Sequence, residues 1–531
     1  MKMVNRFLIF FSLVIVLVLT GCNGNKSSTN EENEKEESSG GTLIYGRATD
    51  TVTLDTHNLI DAESSRISKN VFETLITYEK NGTDVVPKLA KEWTSSDDGK
   101  VWTFKLQEDV KFHDGTDFNA DAVVYNFNRM MDKEHPQHQG DFSIFNRTFK
   151  GVIQEVKAVD SQTVEFTLTA ANATFLPNLG ITTFGIISPA ALKEYGENIK
   201  DHPVGTGPFK FQEWKPNDSV TLVKNDKYWV ADLPKLDKLM FKVIPDNSAR
   251  LTALKNGEID LMDGINQSDL SSVEQNAKLQ VFKRPAGSLG YLTFNLAKPP
   301  YDQVKVRQAI NHAINKKGII DAFYGSVAKP AKNMMPPFIW GYNNEIEGYD
   351  YNPEKAKKLL AEAGFPNGFE TEFSIMSTDR SYLPQPTKVA EAIKSDLAKV
   401  GIDVKISNYE WATYLNKILV KAEYSFAGIG RISENGDPDN FLFTMLSSES
   451  VQNRSGYKNE RVDELLRKAQ TTLDKTERTN LYKEVQQLVI EDAPTIPLAY
   501  VETPLAGGTY VKGYIPHAIG YESLAEVYIE K

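Results

Sequence analysis

The sequence predicts an α/β protein built as two unequal lobes with a cleft between them. Three observations carry this. The chain has 531 residues, and single cores stop growing near about 250–300 residues, so more than one body is required. Strand signals dominate the first half, a β–α–β pattern follows around residues 372–406, and strand and turn character returns over 497–531. Terminal strands that rejoin the first lobe would cross between the lobes twice, and two crossings make a hinge over a cleft.

The N-terminus stands apart from this body. Lys2 and Arg6 precede an apolar run, Phe7–Leu19, broken only by Ser12. That run is shorter than the roughly 20 residues a membrane span needs. Leu19-Thr20-Gly21-Cys22 follows, and small residues before a cysteine resemble a bacterial lipobox cleaved ahead of Cys22. Cys22 is the only cysteine in the chain, so a disulfide is impossible and the thiol is free for diacylation. Residues 1–21 read as a lipoprotein leader. Residues 22–41, rich in Asn, Ser, Glu, Lys and Gly, cannot bury a core and read as a disordered tether. The expected location is the extracytoplasmic face of the cell membrane, periplasmic or outer surface, held by the lipid.

Within the body, Thr42–Gly46 reads as a buried strand and Arg66–Tyr78 as a helix. A hairpin over 93–112 turns at Asp98-Gly99. Asn119 caps a helix from Ala120 to Met131. Gly205-Thr206-Gly207-Pro208-Phe209 enters a strand, which rules out a phosphate loop, since such a loop opens a helix. Further strands are expected over 164–168, 209–214, 220–223 and 238–244, and a helix near 250–257. Val304–Ile314 has helical spacing. Asn352-Pro353-Glu354 is a helix start, with Asn as cap and Pro in the first turn, and Gly364 closes that helix. Glu372–Met376, Thr387–Val400 and Ile402–Ile406 form the β–α–β unit, whose strands should be parallel. Two amphipathic helices cover 459–473 and 477–491.

Charge and motifs narrow the function. A formal net charge of -11, with no basic stripe, excludes nucleic acid as a partner. No Gly-x-Ser-x-Gly elbow or His-Glu-x-x-His occurs, and His135 and His138 flank Pro136 in a polar stretch that reads as a surface loop. No catalytic residue, metal or cofactor is expected, and a lipid-anchored peptide hydrolase is the alternative from the enzyme class.

Five segments, in order along residues 42–531, resemble the peptide/nickel (family 5) substrate-binding proteins of ABC importers, the dipeptide-binding proteins above all. They are Asp114-Gly115 with Asn119–Val124; Gly205–Phe209; Val304–Ile310 with Ala313–Lys316; Tyr351–Ala356 with Leu359-Leu360 and Ala363-Gly364; and Asn435–Phe441. The resemblance implies a periplasmic-binding-protein-like fold of type II, cluster C, with an extra subdomain in the first lobe. The expected division is lobe I at 42–77, 205–285 and 505–531, the subdomain at 78–204, and lobe II at 286–504. It also implies a monomer that closes by hinge motion on a di- or short peptide and delivers it to an ABC permease and its ATPase. Glutathione, haem and chelated nickel are the alternative ligands.

By the same resemblance, Glu434 meets a ligand ammonium and Arg380 its carboxylate, which an Arg can clamp bidentately. Dipeptide binders carry tryptophan where this chain has Arg431, so Arg431 could hold an extra ligand carboxylate. Tyr382, Trp411, Asn435 and Asp437 complete the lobe II candidates, and Glu63 and Ser64, within Asp61–Ser65, those of lobe I. Other readings stay open: Arg380 and Arg431 as solvated loop arginines, Glu434 as a turn carboxylate, Trp340 and Trp411 as core. Asn435-Gly436-Asp437-Pro438 has the composition of a structural turn.

Overall fold

The structure is a computed structural model that describes residues 40–520 and 522–530. The stretches expected as lipobox, with Cys22, and as tether lie outside the described residues, except for Gly40 and Gly41. Ser38–Lys531 forms one compact unit. No helix among the described residues is long and apolar enough to cross a membrane.

Three main sheets divide this unit. Lobe I holds seven strands in the order Leu279–Phe282, Leu505–Gly508, Leu261–Asp263, Thr42–Arg47, Lys238–Val243, Ser219–Lys224 and Phe209–Lys215. Lobe II holds six, in the order Ala328–Pro330, Thr495–Val501, Ser288–Phe294, Phe426–Ile432, Glu370–Met376 and Asp403–Tyr409. A four-stranded antiparallel sheet (Ala90–Ser95, Val101–Leu106, Thr163–Leu168, Ile153–Asp160) carries the subdomain. The chain passes from the lobe I sheet to the lobe II sheet through 283–287 and returns through 502–504.

Each body has its own core. In the subdomain, Phe104, Phe127, Phe166, Phe175 and Phe184 pack together, and aromatic pairs add to the area term. The lobe II sheet is covered on both faces, so its central strand Ser288–Phe294 is buried throughout. Leu292 and Phe294 face one cluster, while Leu289 and Tyr291 face the other. This is the period-2 alternation of a strand with two dry faces.

Local chemistry explains most elements. Asn119 accepts from Ala122 N (3.0 Å) ahead of helix Ala120–Met131. Asn352 accepts from Lys355 N (3.0 Å) ahead of helix Pro353–Glu362. Glu370–Met376 and Asp403–Tyr409 pair in parallel around helix Pro386–Ala398.

Two sequence expectations are corrected. The helix expected over Arg66–Tyr78 runs from Ala62 to Val71, capped by Asp61 through Ser64 N (2.8 Å). Beyond it, Leu75 O accepts from Ala90 N (2.8 Å) and Ile76–Tyr78 pairs with Val85–Pro87 as a strand, so extended backbone replaces the helix. Gly40 and Gly41, expected within the tether, instead belong to the folded body: Gly40 N donates to Lys235 O (2.7 Å) and Gly41 N to the Asp237 carboxylate (2.8 Å).

Candidate functional site

A cavity of about 810 Å³ lies where lobe I, the subdomain and lobe II meet. Its wall carries five carboxylates (Asp61, Glu63, Asp263, Glu434, Glu522) against four cations (Arg66, Lys69, Arg147, Arg284). Near-balance of opposite charges suits a dipolar guest better than a net ion. Ile60 and Ile432 also line it, 68% and 51% exposed, which is apolar area that water covers poorly.

The loop bearing Arg380 is seated by glycines. Gly290 and Gly430 face each other across adjacent strands. A Cβ at Gly430 would lie 2.2 Å from Tyr382 Cγ, and one at Gly290 2.3 Å from Tyr382 O. Only bare backbone lets Tyr382 lie flat on the sheet, where it is buried. Tyr324 donates from its hydroxyl to Tyr382 O (3.1 Å). Arg380 and Leu383 exchange backbone bonds of 3.2 and 2.9 Å, so Ser381 projects at the tip and lines the cavity. Arg380, Tyr382 and Trp411, expected as ligand contacts, are not on the cavity wall, which only their neighbour Ser381 reaches; there the Arg380 guanidinium stacks 3.7 Å over the Trp411 ring, and its Nε is buried without a hydrogen-bond partner. A donor so placed is poised for an incoming acceptor. Trp411 in turn opens helix Trp411–Leu415 and stacks on Tyr414 at 6.2 Å.

Glu434 lines the cavity from lobe II. Its Oε2 accepts from Arg147 of the subdomain at 2.8 Å, with the two side chains 36% and 46% exposed. Asn435 is buried and donates from Nδ2 to Asn178 Oδ1 (2.6 Å), another contact between lobe II and the subdomain. Its Oδ1 accepts from Asp437 N (3.0 Å), and Asp437 Oδ1 accepts from Asp439 N (3.0 Å). Asp437 clamps Arg478 with two bonds of 2.9 Å, both groups buried. The Asn435-Gly436-Asp437-Pro438 segment is thus a chain of Asx turns tied to the interior, and it holds Glu434 in place.

Several expected contacts lie elsewhere. Arg431 is on the strand face opposite Ile432, donating to Asn440 O (3.2 Å) and Gln452 Oε1 (3.1 Å), and it is not part of the cavity wall. Burial and its neighbour Arg147 pull its pKa below the usual range, against the pull of Glu434. Ser64 is fully buried and accepts from Val52 N (2.9 Å), whereas Ser65 lines the cavity. Glu63 is on the wall, 3.4 Å from Arg66. Trp340 packs edge-on to Tyr482 at 5.9 Å in the lobe II core.

Sequence reasoning missed the lobe I charges. Arg284, in the first crossing, donates to Glu522 (2.7 Å), to Asp263 (3.3 Å) and to Thr503 Oγ1 of the second crossing (3.3 Å). Arg66 reaches Asp263 (2.6 Å) and the Tyr45 hydroxyl (2.7 Å). Burial alone would raise both acids. Arg284 and Arg66 instead hold Asp263 well below the usual carboxylate range, and Arg284 with Lys69 holds Glu522 down to about 2. Burial, partly offset by Glu522, brings Lys69 down to about 8. The one signal for these residues was a lone charge at a strand end, as in Leu261-Met262-Asp263.

Known proteins share this architecture. Residues 84–453 match the family described as bacterial extracellular solute-binding proteins, family 5 Middle. The chain is 38% identical to heme-binding protein A of Haemophilus influenzae, over 97% of each chain. It is 36% identical to the dipeptide-binding protein of Escherichia coli K12, over 87% of this chain and 89% of that protein. The ABC transporter-associated periplasmic binding protein of Helicobacter pylori, solved with the peptide STSA, superimposes with a TM-score of 0.77 at 36% identity, over 93% of this chain and 99% of its own. Proteins of this family are transport binding proteins, not enzymes, and act outside the cytoplasm. With the family matched over most of its length, this two-lobed chain belongs to the family 5 extracellular solute-binding proteins.

Proposed function

We propose that this chain is a lipid-anchored receptor that captures a di- or short peptide, closes its lobes over it and presents it to an ABC permease. The observation that carries the reading is the charge-balanced cavity with Ile60 and Ile432 on its wall. A peptide zwitterion brings an ammonium, a carboxylate and side chains; Glu434 and the two isoleucines on the wall suit the first and the last, and Arg380, next to the wall residue Ser381, suits the carboxylate. Arg380 takes the carboxylate and Glu434 the ammonium. Arg431 has no part in this reading. Closure turns on 283–287 and 502–504, the two stretches that join the sheets, with Arg284 bridging them through Thr503. The relative named for haem makes haem the competing ligand.

Mass spectrometry of protein extracted from membranes tests the reading at two points. Under denaturing conditions the expected chain begins at Cys22 and carries acyl groups. Under native conditions it holds one intact short peptide. An unprocessed N-terminus would contradict the anchor, and haem in place of peptide would contradict the ligand.

A further inference from the structure

Among the cations on the cavity wall, Arg66, Arg284 and Lys69 are spent within lobe I. Arg66 is held by Glu63, Asp263 and Tyr45, Arg284 by Glu522, Asp263 and Thr503, and Lys69 by Glu522 and Gly520 O. Arg147 differs. It comes from the short subdomain helix Ser143–Thr148, is 46% exposed, and reaches across to lobe II with one bond, Nη2 to Glu434 Oε2 at 2.8 Å. A guanidinium has five donors in a planar fork, so most of its hydrogen-bonding capacity remains open to the cavity that it and Glu434 both line. Glu434 Oε1 is outside that bond and is available to an ammonium.

We infer that Arg147 is a specificity-determining residue that selects peptides whose N-terminal residue carries a carboxylate side chain. The inference rests on the peptide reading above and deepens it. An ammonium on Glu434 Oε1 lies beside the Arg147 fork, because one carboxylate separates them. The ligand anion with the shortest reach to that fork is one carried by the residue that bears the ammonium. In an unmodified dipeptide this is the side chain of an N-terminal Asp or Glu. The terminal carboxylate is farther along the peptide and belongs to Arg380. A neutral N-terminal residue would leave the Arg147 donors not bonded to Glu434 to water as the cleft closes, losing the charge-assisted bonds that an acidic one gains. The subdomain thereby reads the first residue of the ligand.

Calorimetry on the full chain with Glu-Ala, Ala-Glu and Ala-Ala tests this, with wild type, Arg147→Gln and Arg147→Lys compared. Wild type is expected to bind Glu-Ala about tenfold tighter than Ala-Ala, a half-exposed pair being worth less than a buried one. Ala-Glu should behave as Ala-Ala. In Arg147→Gln the ratio of the Glu-Ala and Ala-Ala affinities should fall to near one, and Arg147→Lys should restore part of it. Equal wild-type affinity for Glu-Ala and Ala-Ala, an equal gain for Ala-Glu, or an undiminished ratio in Arg147→Gln would each overturn the inference while leaving peptide binding intact. Binding of none of the three would overturn the peptide reading and this inference with it.

Discussion

Arg380→Ala is expected to weaken binding of a dipeptide with a free C-terminus by about a hundredfold or more. The guanidinium is stacked over Trp411 at 3.7 Å and has a buried Nε with no partner. Its orientation is therefore fixed before any ligand arrives, and little side-chain entropy remains to be lost. A bidentate bond to a carboxylate in a closed cleft contributes roughly 1.5–3 kcal/mol per hydrogen bond, and each 1.4 kcal/mol is about a factor of ten in affinity. Truncation would also leave a ligand anion enclosed without a counter-charge, which adds to the loss. Arg380→Lys keeps the charge but not the planar fork, so it should recover only part. Amidating the dipeptide should cost wild type a similar amount and Arg380→Ala little. Calorimetry measures all four cases, and an unchanged affinity in Arg380→Ala would remove this residue from the site.

The second large effect is on stability. Asp437 and Arg478 form two 2.9 Å bonds with side chains 2% and 6% exposed. Asp437→Ala leaves a guanidinium charge in the interior, and breaking a buried pair from one side costs about 3–5 kcal/mol. Asp439 is the nearby reserve. Burial, and then the charge of Asp437, push its carboxyl up to about 7, while Arg478 pulls the other way. With Asp437 gone, Asp439 can ionise toward Arg478, so the single variant should fall near the lower end of that range. Asp437→Ala with Asp439→Asn should be less stable than either single variant. Denaturant midpoints followed by fluorescence read this order, with the slope checked for two-state behaviour. A midpoint for Asp437→Ala equal to wild type would show that the pair carries no net stability. Both variants also loosen the loop that presents Glu434, so weaker peptide binding should accompany the lost stability.

How far the site was legible in the sequence depends on which local rule each residue obeys. Helices with caps were readable because the cap is a local hydrogen bond. Asn119 and Asn352 sit where a side-chain oxygen must meet a free N–H, and both helices begin there. The apolar spacing of Leu75 and Ile76 extends the expected helix past Val71, whereas their backbone pairs with distant residues. The two strands that cradle the site, Ser288–Phe294 and Phe426–Ile432, gave no strand signal. Their glycines weaken the pattern, and Gly290 and Gly430 are there because Tyr382 occupies the space a Cβ would need. Local propensity fails at this point because the packing of Tyr382 against the sheet requires glycine there. The same unread strand hid the alternation that turns Arg431 away from the cavity and Ile432 toward it. Ser64 and Ser65 were likewise separable only once the helix start was known. The lobe I charges Asp263, Arg284 and Glu522 come from three distant segments, and no spacing in the sequence links them.

Small-angle scattering on the full chain, titrated with dipeptide, bears most directly on whether two lobes shut around a small zwitterion. The radius of gyration should fall to a plateau at one peptide per protein, and the peptide recovered afterwards should be whole. Superimposable curves with and without every dipeptide, or a peptide returned in pieces, would contradict the account.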